Sequence, residues 1–263
     1  MPQIVYYFSA YLDLLQQQEI TDGEKVNFVV PTGNFGNILA GFYACRTGLP
    51  VNRLICAANT NHVLTDFIQN GTYDINRPFA RTISPSMDIL ISSNLERLLF
   101  ELNGRQSGRV KLWMEQLAAT GRYRVDSSTS REIARMFWSD YAGEQETIDA
   151  INQTYRRYEY LIDPHTAVGV AVYQKYRSIT GDPAKTIILS TASPFKFNYS
   201  VARALLGEKA VINCSEFELL TTLSRYTGWK IPAGLNGLQQ KPVRHKTVVD
   251  KGQMKQAVLD LLT

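Results

Sequence analysis

The sequence predicts an α/β fold built on an open, mostly parallel sheet flanked by helices. Three observations point there. Residues 26–30 (VNFVV) form a short, β-branched, almost continuously apolar run, and residues 38–45 after them have helical periodicity. Residues 53–58 (RLICAA) repeat the pattern as a second buried strand, with a helix over about 62–69 behind it. Strand–helix–strand–helix alternation of this kind makes a parallel sheet. A chain of 263 residues that is 44% hydrophobic and 20% charged has ample core for it.

The remaining elements follow in order. Apolar residues at helical spacing predict a first helix over about 4–18, and Thr21-Asp22-Gly23 turns the chain into the strand at 26. Gly48-Leu49-Pro50 ends the helix that begins near 38. Residues 70–90, with Gly71, Pro78 and Pro85, read as loop. Helices are expected over 94–102 and 107–119, the second with Val110, Leu112, Trp113 and Leu117 as packing positions. Residues 105–160 are richer in charge and read as a helical insertion that packs on the sheet without joining it. Asp163-Pro164 starts a further helix, with proline at its favoured first position. Residues 186–190 form a third strand, and helices follow over 197–206, 216–225 and 252–262. The expected organisation is a core over 1–104, the insertion over 105–160, and the rest of the core over 161–263.

Composition narrows the function. A net charge of +4 with dispersed basic residues gives no nucleic-acid footprint, and Lys241 to Lys246 reads as a solvated loop. No window approaches the ~18 uninterrupted apolar residues of a membrane span. The first eight residues lack a basic region and a cleavage site, so no secretory leader is expected. Cys45, Cys56 and Cys214 are scattered, without metal-site spacing, and fit three buried thiols in a reducing cytoplasm.

Between the first strand and its helix lies Pro31-Thr32-Gly33-Asn34-Phe35-Gly36-Asn37. A glycine-containing turn that opens a helix presents unpartnered N–H groups and the positive end of the helix dipole to an anion. Glycines let the main chain close around a phosphate, and Asn34 and Asn37 add amide donors. A tight strand-to-helix connection would look the same. The spacing matches neither the Rossmann fingerprint nor the P-loop.

The run VPTGNFGNILAGFYACRTGLP resembles the cofactor-phosphate loop of threonine synthases, pyridoxal-phosphate (PLP) enzymes of fold type II, the tryptophan synthase β-subunit-like fold. Residues 2–14, 84–102, 163–173 and 190–197 resemble the same family, in the same order. The resemblance implies PLP as cofactor, held by Gly33, Asn34, Phe35, Gly36 and Asn37. It also implies a carbon–oxygen lyase converting O-phospho-L-homoserine and water to L-threonine and phosphate. Ser190-Thr191 ends a strand, where open α/β sheets place ligands. In this fold a hydroxyl commonly faces the pyridine nitrogen, and Thr191 is the first choice for it, Ser190 the second. Ser193 and Phe195 depart from the family pattern, which has histidine and a small residue there.

Other groups keep two readings. Ser92, Ser93 and Asn94 are helix caps or donors to a phosphorylated amino-acid substrate. Arg97 pairs with a substrate anion or with Glu96 or Glu101. His165 polarises a ligand or serves the helix start beside Asp163. His62 and His245 read as hydrogen-bonded structural residues.

The family's cofactor-binding lysine lies in a Phe-Lys-Asp-like segment, and none of the lysines here has that context; Lys196 lies in a different family motif. The resemblance covers roughly the C-terminal three-fifths of a family member. A fragment unable to act alone is therefore expected, or a non-catalytic PLP- or phosphate-binding protein derived from the enzyme. A sheet cut in this way should expose apolar surface and self-associate.

Overall fold

The computed structural model describes residues 2–244 and 246–262; His245 lies outside them. Helix α1 (Ile4–Gln16) leads into β1 (Val26–Pro31), α2 (Gly36–Arg46), β2 (Val51–Ala58) and α3 (Val63–Asn70). Then come β3 (Thr72–Asp74), α4 (Leu95–Leu102), α5 (Ser107–Thr120), β4 (Arg122–Arg124), α6 (Ser127–Met136) and β5 (Phe137–Tyr141). Helices α7 (Glu144–Tyr158) and α8 (Pro164–Thr180), strand β6 (Thr186–Ile188), and helices α9 (Asn198–Leu206), α10 (Glu216–Thr227) and α11 (Met254–Leu262) complete the order.

The main sheet has the order β5-β2-β1-β6, with every pairing parallel. Phe28 on β1 stands between Leu54 on β2 and Ile187 on β6. Side chains alternate faces along a strand. Phe28 and Val30 accordingly pack with Phe42 of α2 and Phe67 of α3. Val29 packs on the opposite face with Val168 and Val172 of α8 and Ile151 of α7. Both faces are covered, which is why β1 reads as an unbroken apolar run.

Four expectations need correction. The 105–160 segment is not outside the sheet: β5 pairs with β2, Leu54 opposite Phe137 and Ala58 opposite Tyr141. Its strand was hidden because Ser139 and Asp140 interrupt the apolar pattern and α6 runs straight into it without a turn. Ser139 is buried, donating to the Cys56 carbonyl at 2.8 Å and sharing a 2.9 Å hydrogen bond with Thr65. Within the supposed loop, β3 pairs antiparallel with β4, and the Tyr73 and Tyr123 rings stack at 5.3 Å. Leu112 is not a packing position. It is 58% exposed, while its neighbour Trp113 is buried against the Tyr123 ring. Finally, of the three thiols only Cys56 is buried; Cys45 is half-buried and Cys214 exposed. Burial pushes the Cys56 thiol up to about 11, so it behaves as an inert core group. Among the described residues no helix is long and apolar enough to cross a membrane.

Candidate functional site

The loop after β1 is shaped by what its carbonyls do. Thr32 closes the strand, its N–H donating to the Ala57 carbonyl at 2.8 Å. Ser92 Oγ donates to the Gly33 carbonyl at 2.8 Å, and Asn94 Nδ2 donates to the Asn34 carbonyl at 2.7 Å. Phe35 then adopts a left-handed conformation (φ 62°), its ring buried in the core 5.9 Å from that of Phe137. A left-handed non-glycine residue costs on the order of 1 kcal/mol and persists where its surroundings demand it. From Gly33 through Ile38, none of the backbone N–H groups donates to an acceptor among the described residues. In a trans peptide the N–H points opposite its carbonyl. Tying the carbonyls of Gly33 and Asn34 to the 92–94 segment therefore turns the following amides away from it.

The two loop glycines have different reasons. A Cβ at Gly33 would lie 2.7 Å from the Ser86 carbonyl oxygen, so packing excludes a side chain there. At Gly36 a Cβ would meet only Asn94 Nδ2 at 3.4 Å, an ordinary contact, and the backbone needs no positive φ. Nothing in the protein itself demands glycine at 36.

Gly33 and Asn37 face a cleft of about 600 Å³ at the carboxyl ends of β1 and β6. Its other walls bring Ser86, His165, Thr191 and Lys196. Thr191, chosen from the sequence, thus shares a cavity with the loop. Asn34, Phe35 and Gly36 can contribute through their main chain; the Phe35 ring belongs to the core.

One buried carboxylate joins two of these walls. Asp163 caps α8, accepting from the His165 N–H at 2.9 Å and from His165 Nδ1 at 2.8 Å. It also accepts from Thr166 Oγ1, which in turn receives the Thr191 N–H at 3.3 Å. His165 Nε2 accepts the Ser86 N–H at 3.2 Å. Burial raises the Asp163 carboxyl, but the hydrogen bonds from His165 and Thr166 outweigh it and hold the group below its ordinary value. Both His165 nitrogens are committed, so the ring fixes the position of Ser86. The segment carrying Ser86 is further anchored by Asp88, which accepts from Asn59 Nδ2 at 2.8 Å and Asn61 Nδ2 at 3.0 Å.

The other expected residues lie elsewhere. Ser92 and Ser93 line a separate cavity of about 250 Å³ with Tyr73 and Tyr123. Asn94 and Arg97 line a third, of about 730 Å³, with Gly36 and Tyr43. None of the three polar residues caps α4 with its side chain; Ser92 and Asn94 brace the loop instead. Among the described residues Arg97 forms no ion pair, and Glu101 pairs with Arg105 at 3.1 Å. His62 stacks on Tyr141 and faces Asp66. Sequence reasoning had not placed Ser86 or Lys196 in the cleft. The only signals for them were the donor-rich 84–88 run and the position of Lys196 just beyond a strand end.

This fold is similar to that of solved threonine synthases, PLP enzymes of fold type II. The X-ray structure of PLP-bound threonine synthase from Brucella melitensis superposes with a TM-score of 0.77 at 37% identity, covering 92% of this chain and 46% of that one. The crystal structure of yeast threonine synthase gives a TM-score of 0.82 at 35% identity, covering 99% of this chain and 51% of that one. Residues 166–258 match the family model described as "Threonine synthase, C-terminal". The chain is homologous to the threonine synthases and matches their C-terminal portion. Human threonine synthase-like 1 is 42% identical over 206 residues, which are 78% of this chain and 27% of the human protein. Threonine synthase of Saccharomyces cerevisiae is 38% identical over 245 residues, 86% of this chain and 47% of the yeast protein. The chain therefore spans about half the length of these relatives or less, not three-fifths.

Proposed function

We propose that this chain forms the cofactor-holding part of a threonine-synthase-type lyase site, one that converts O-phospho-L-homoserine and water to L-threonine and phosphate. The observation that carries the reading is the row of amides from Gly33 to Ile38, without acceptors among the described residues, in a loop whose Gly33 and Asn37 line the cleft. Gly36 lines the neighbouring cavity with Asn94 and Arg97, and its lack of a side chain keeps the helix start open on that side. The backbone of Gly33 to Asn37 would hold the phosphate of PLP, and the Thr191 hydroxyl would face its pyridine nitrogen. When bound, PLP supplies an electron sink for a substrate carbanion. A neutral hydroxyl at Thr191 would donate to the ring nitrogen and leave it largely unprotonated, moderating the electron sink. The Asp163 network keeps Thr191 and Ser86 in register across the cleft. Three free cysteines fit a reducing compartment such as the cytoplasm.

A second reading is a non-catalytic PLP- or phosphate-binding or interaction protein derived from the enzyme. No lysine in the sequence has the context of the family's cofactor-binding lysine. One experiment separates the two. The chain is titrated with PLP, alone and mixed with the N-terminal part of a threonine synthase that carries the Phe-Lys-Asp-like segment, and phosphate release from O-phospho-L-homoserine is followed in both samples. Cofactor binding with phosphate release in either sample establishes the lyase, and binding without release in both favours the binding protein. If PLP does not bind, both readings fail.

A further inference from the structure

We infer that Lys196 gives the cleft a second anion position, separate from the amide cradle, which takes the phosphoryl group of the substrate. The inference rests on the proposed function and assigns a residue of that site to the substrate's phosphoryl group. Lys196 is the one lysine or arginine lining the cleft among the described residues, and no aspartate or glutamate lines it. The other basic side chain in the lining is His165, whose nitrogens are both engaged. Lys196 is exposed and has no carboxylate within ion-pair distance among the described residues. Its ammonium lies 5.9 Å from the centroid of the Phe197 ring, which packs edge-on against His165 at 4.7 Å. The turn that carries it, Pro194–Phe197, is closed by the Lys196 N–H donating to the Ser193 carbonyl at 3.0 Å. The cation thus stands at the cleft wall with no ion-pair partner among the described residues.

The two anion elements differ in kind. The cradle offers uncharged, directional amides that suit a fixed ester phosphate. Lys196 is a mobile point charge with three donors, suited to a tetrahedral oxyanion that must enter and leave. A cleft of about 600 Å³ has room for both groups.

The test titrates inorganic phosphate into the chain and into Lys196→Gln, Lys196→Arg and Asn37→Asp. Inorganic phosphate carries no aldehyde, so attachment to an amine cannot contribute. Asn37→Asp is nearly isosteric and puts a negative charge beside the cradle. The expected result is two binding events in the parent chain. Lys196→Gln weakens one of them about tenfold or more, Lys196→Arg keeps it, and Asn37→Asp removes only the other. Two events unaffected by Lys196→Gln overturn the inference and leave the proposed function standing. A single event lost in both Lys196→Gln and Asn37→Asp also overturns it, because one anion then spans both elements. If Asn37→Asp changes nothing, it is the cradle reading that fails.

Discussion

The hydroxyl of Ser92 and the carbonyl of Gly33, far apart in sequence, meet in a 2.8 Å hydrogen bond that sets the conformation of the loop after β1. Asn94 repeats the arrangement one residue on, through the Asn34 carbonyl. Residues expected to touch substrate instead hold the loop's acceptors, and this leaves the loop's donors free.

Removing that brace should be felt in two measurements. Ser92→Ala is expected to lower unfolding stability by about 1 kcal/mol, the net worth of an ordinary hydrogen bond. PLP affinity should fall several-fold as the amides lose their fixed direction. Urea unfolding and a PLP titration check both. Unchanged affinity would show that the cradle holds its shape without Ser92.

The two loop glycines should separate stability from binding. Gly33→Val forces a Cβ to 2.7 Å from the Ser86 carbonyl and should cost about 1–3 kcal/mol of stability without any ligand. Gly36→Ala has space in the protein, and replacing a helical glycine by alanine is worth up to ~1 kcal/mol. That variant should be as stable as the parent or more so, yet bind PLP more weakly. A Gly36→Ala protein with full affinity would remove the ligand-based reason for glycine there.

Much of this was legible in sequence because β1, β2 and the loop between them are local: a buried parallel strand, a turn and a helix all leave their pattern within twenty-odd residues. Thr191 was legible as a strand end. The bracing by Ser92 and Asn94 was not, because a hydroxyl that caps a helix and one that donates to a distant carbonyl look alike in one dimension. Strand β5 was hidden for a related reason. Its Ser139 is satisfied by Cys56 and Thr65, partners that only the folded sheet supplies. Arg97 carried a functional expectation from its residue type, but α4 places it in a different cavity from Thr191.

Asp163 should impose a pH dependence on stability. Its carboxyl is held below its ordinary value in the folded chain, so the carboxylate stabilises the fold fully above the unfolded value of about 3.9. That contribution is lost as pH falls from there through the folded value. At neutral pH, Asp163→Ala leaves buried donors of His165 and Thr166 unpaired and should cost about 3 kcal/mol. The difference between parent and variant should narrow below about pH 4. A gap that stays constant down to acid unfolding would mean that the charge of Asp163 contributes nothing.

Surface chemistry predicts self-association. Val5, Tyr6 and Leu12 of α1 are 64%, 64% and 58% exposed, and Tyr6 lines the same cleft as edge strand β6. Apolar side chains beside an unpaired strand edge favour pairing with a second molecule. Sedimentation should show a mass that rises with concentration, reduced by Leu12→Glu. A monomer at every concentration would contradict this.

The most direct measurement of the central claim follows the backbone amide resonances as PLP is added. The account predicts that the largest shifts fall on Gly33 to Ile38, with slowed hydrogen exchange at the same N–H groups once the phosphate occupies them. Saturable binding that leaves those resonances in place and moves others would contradict it.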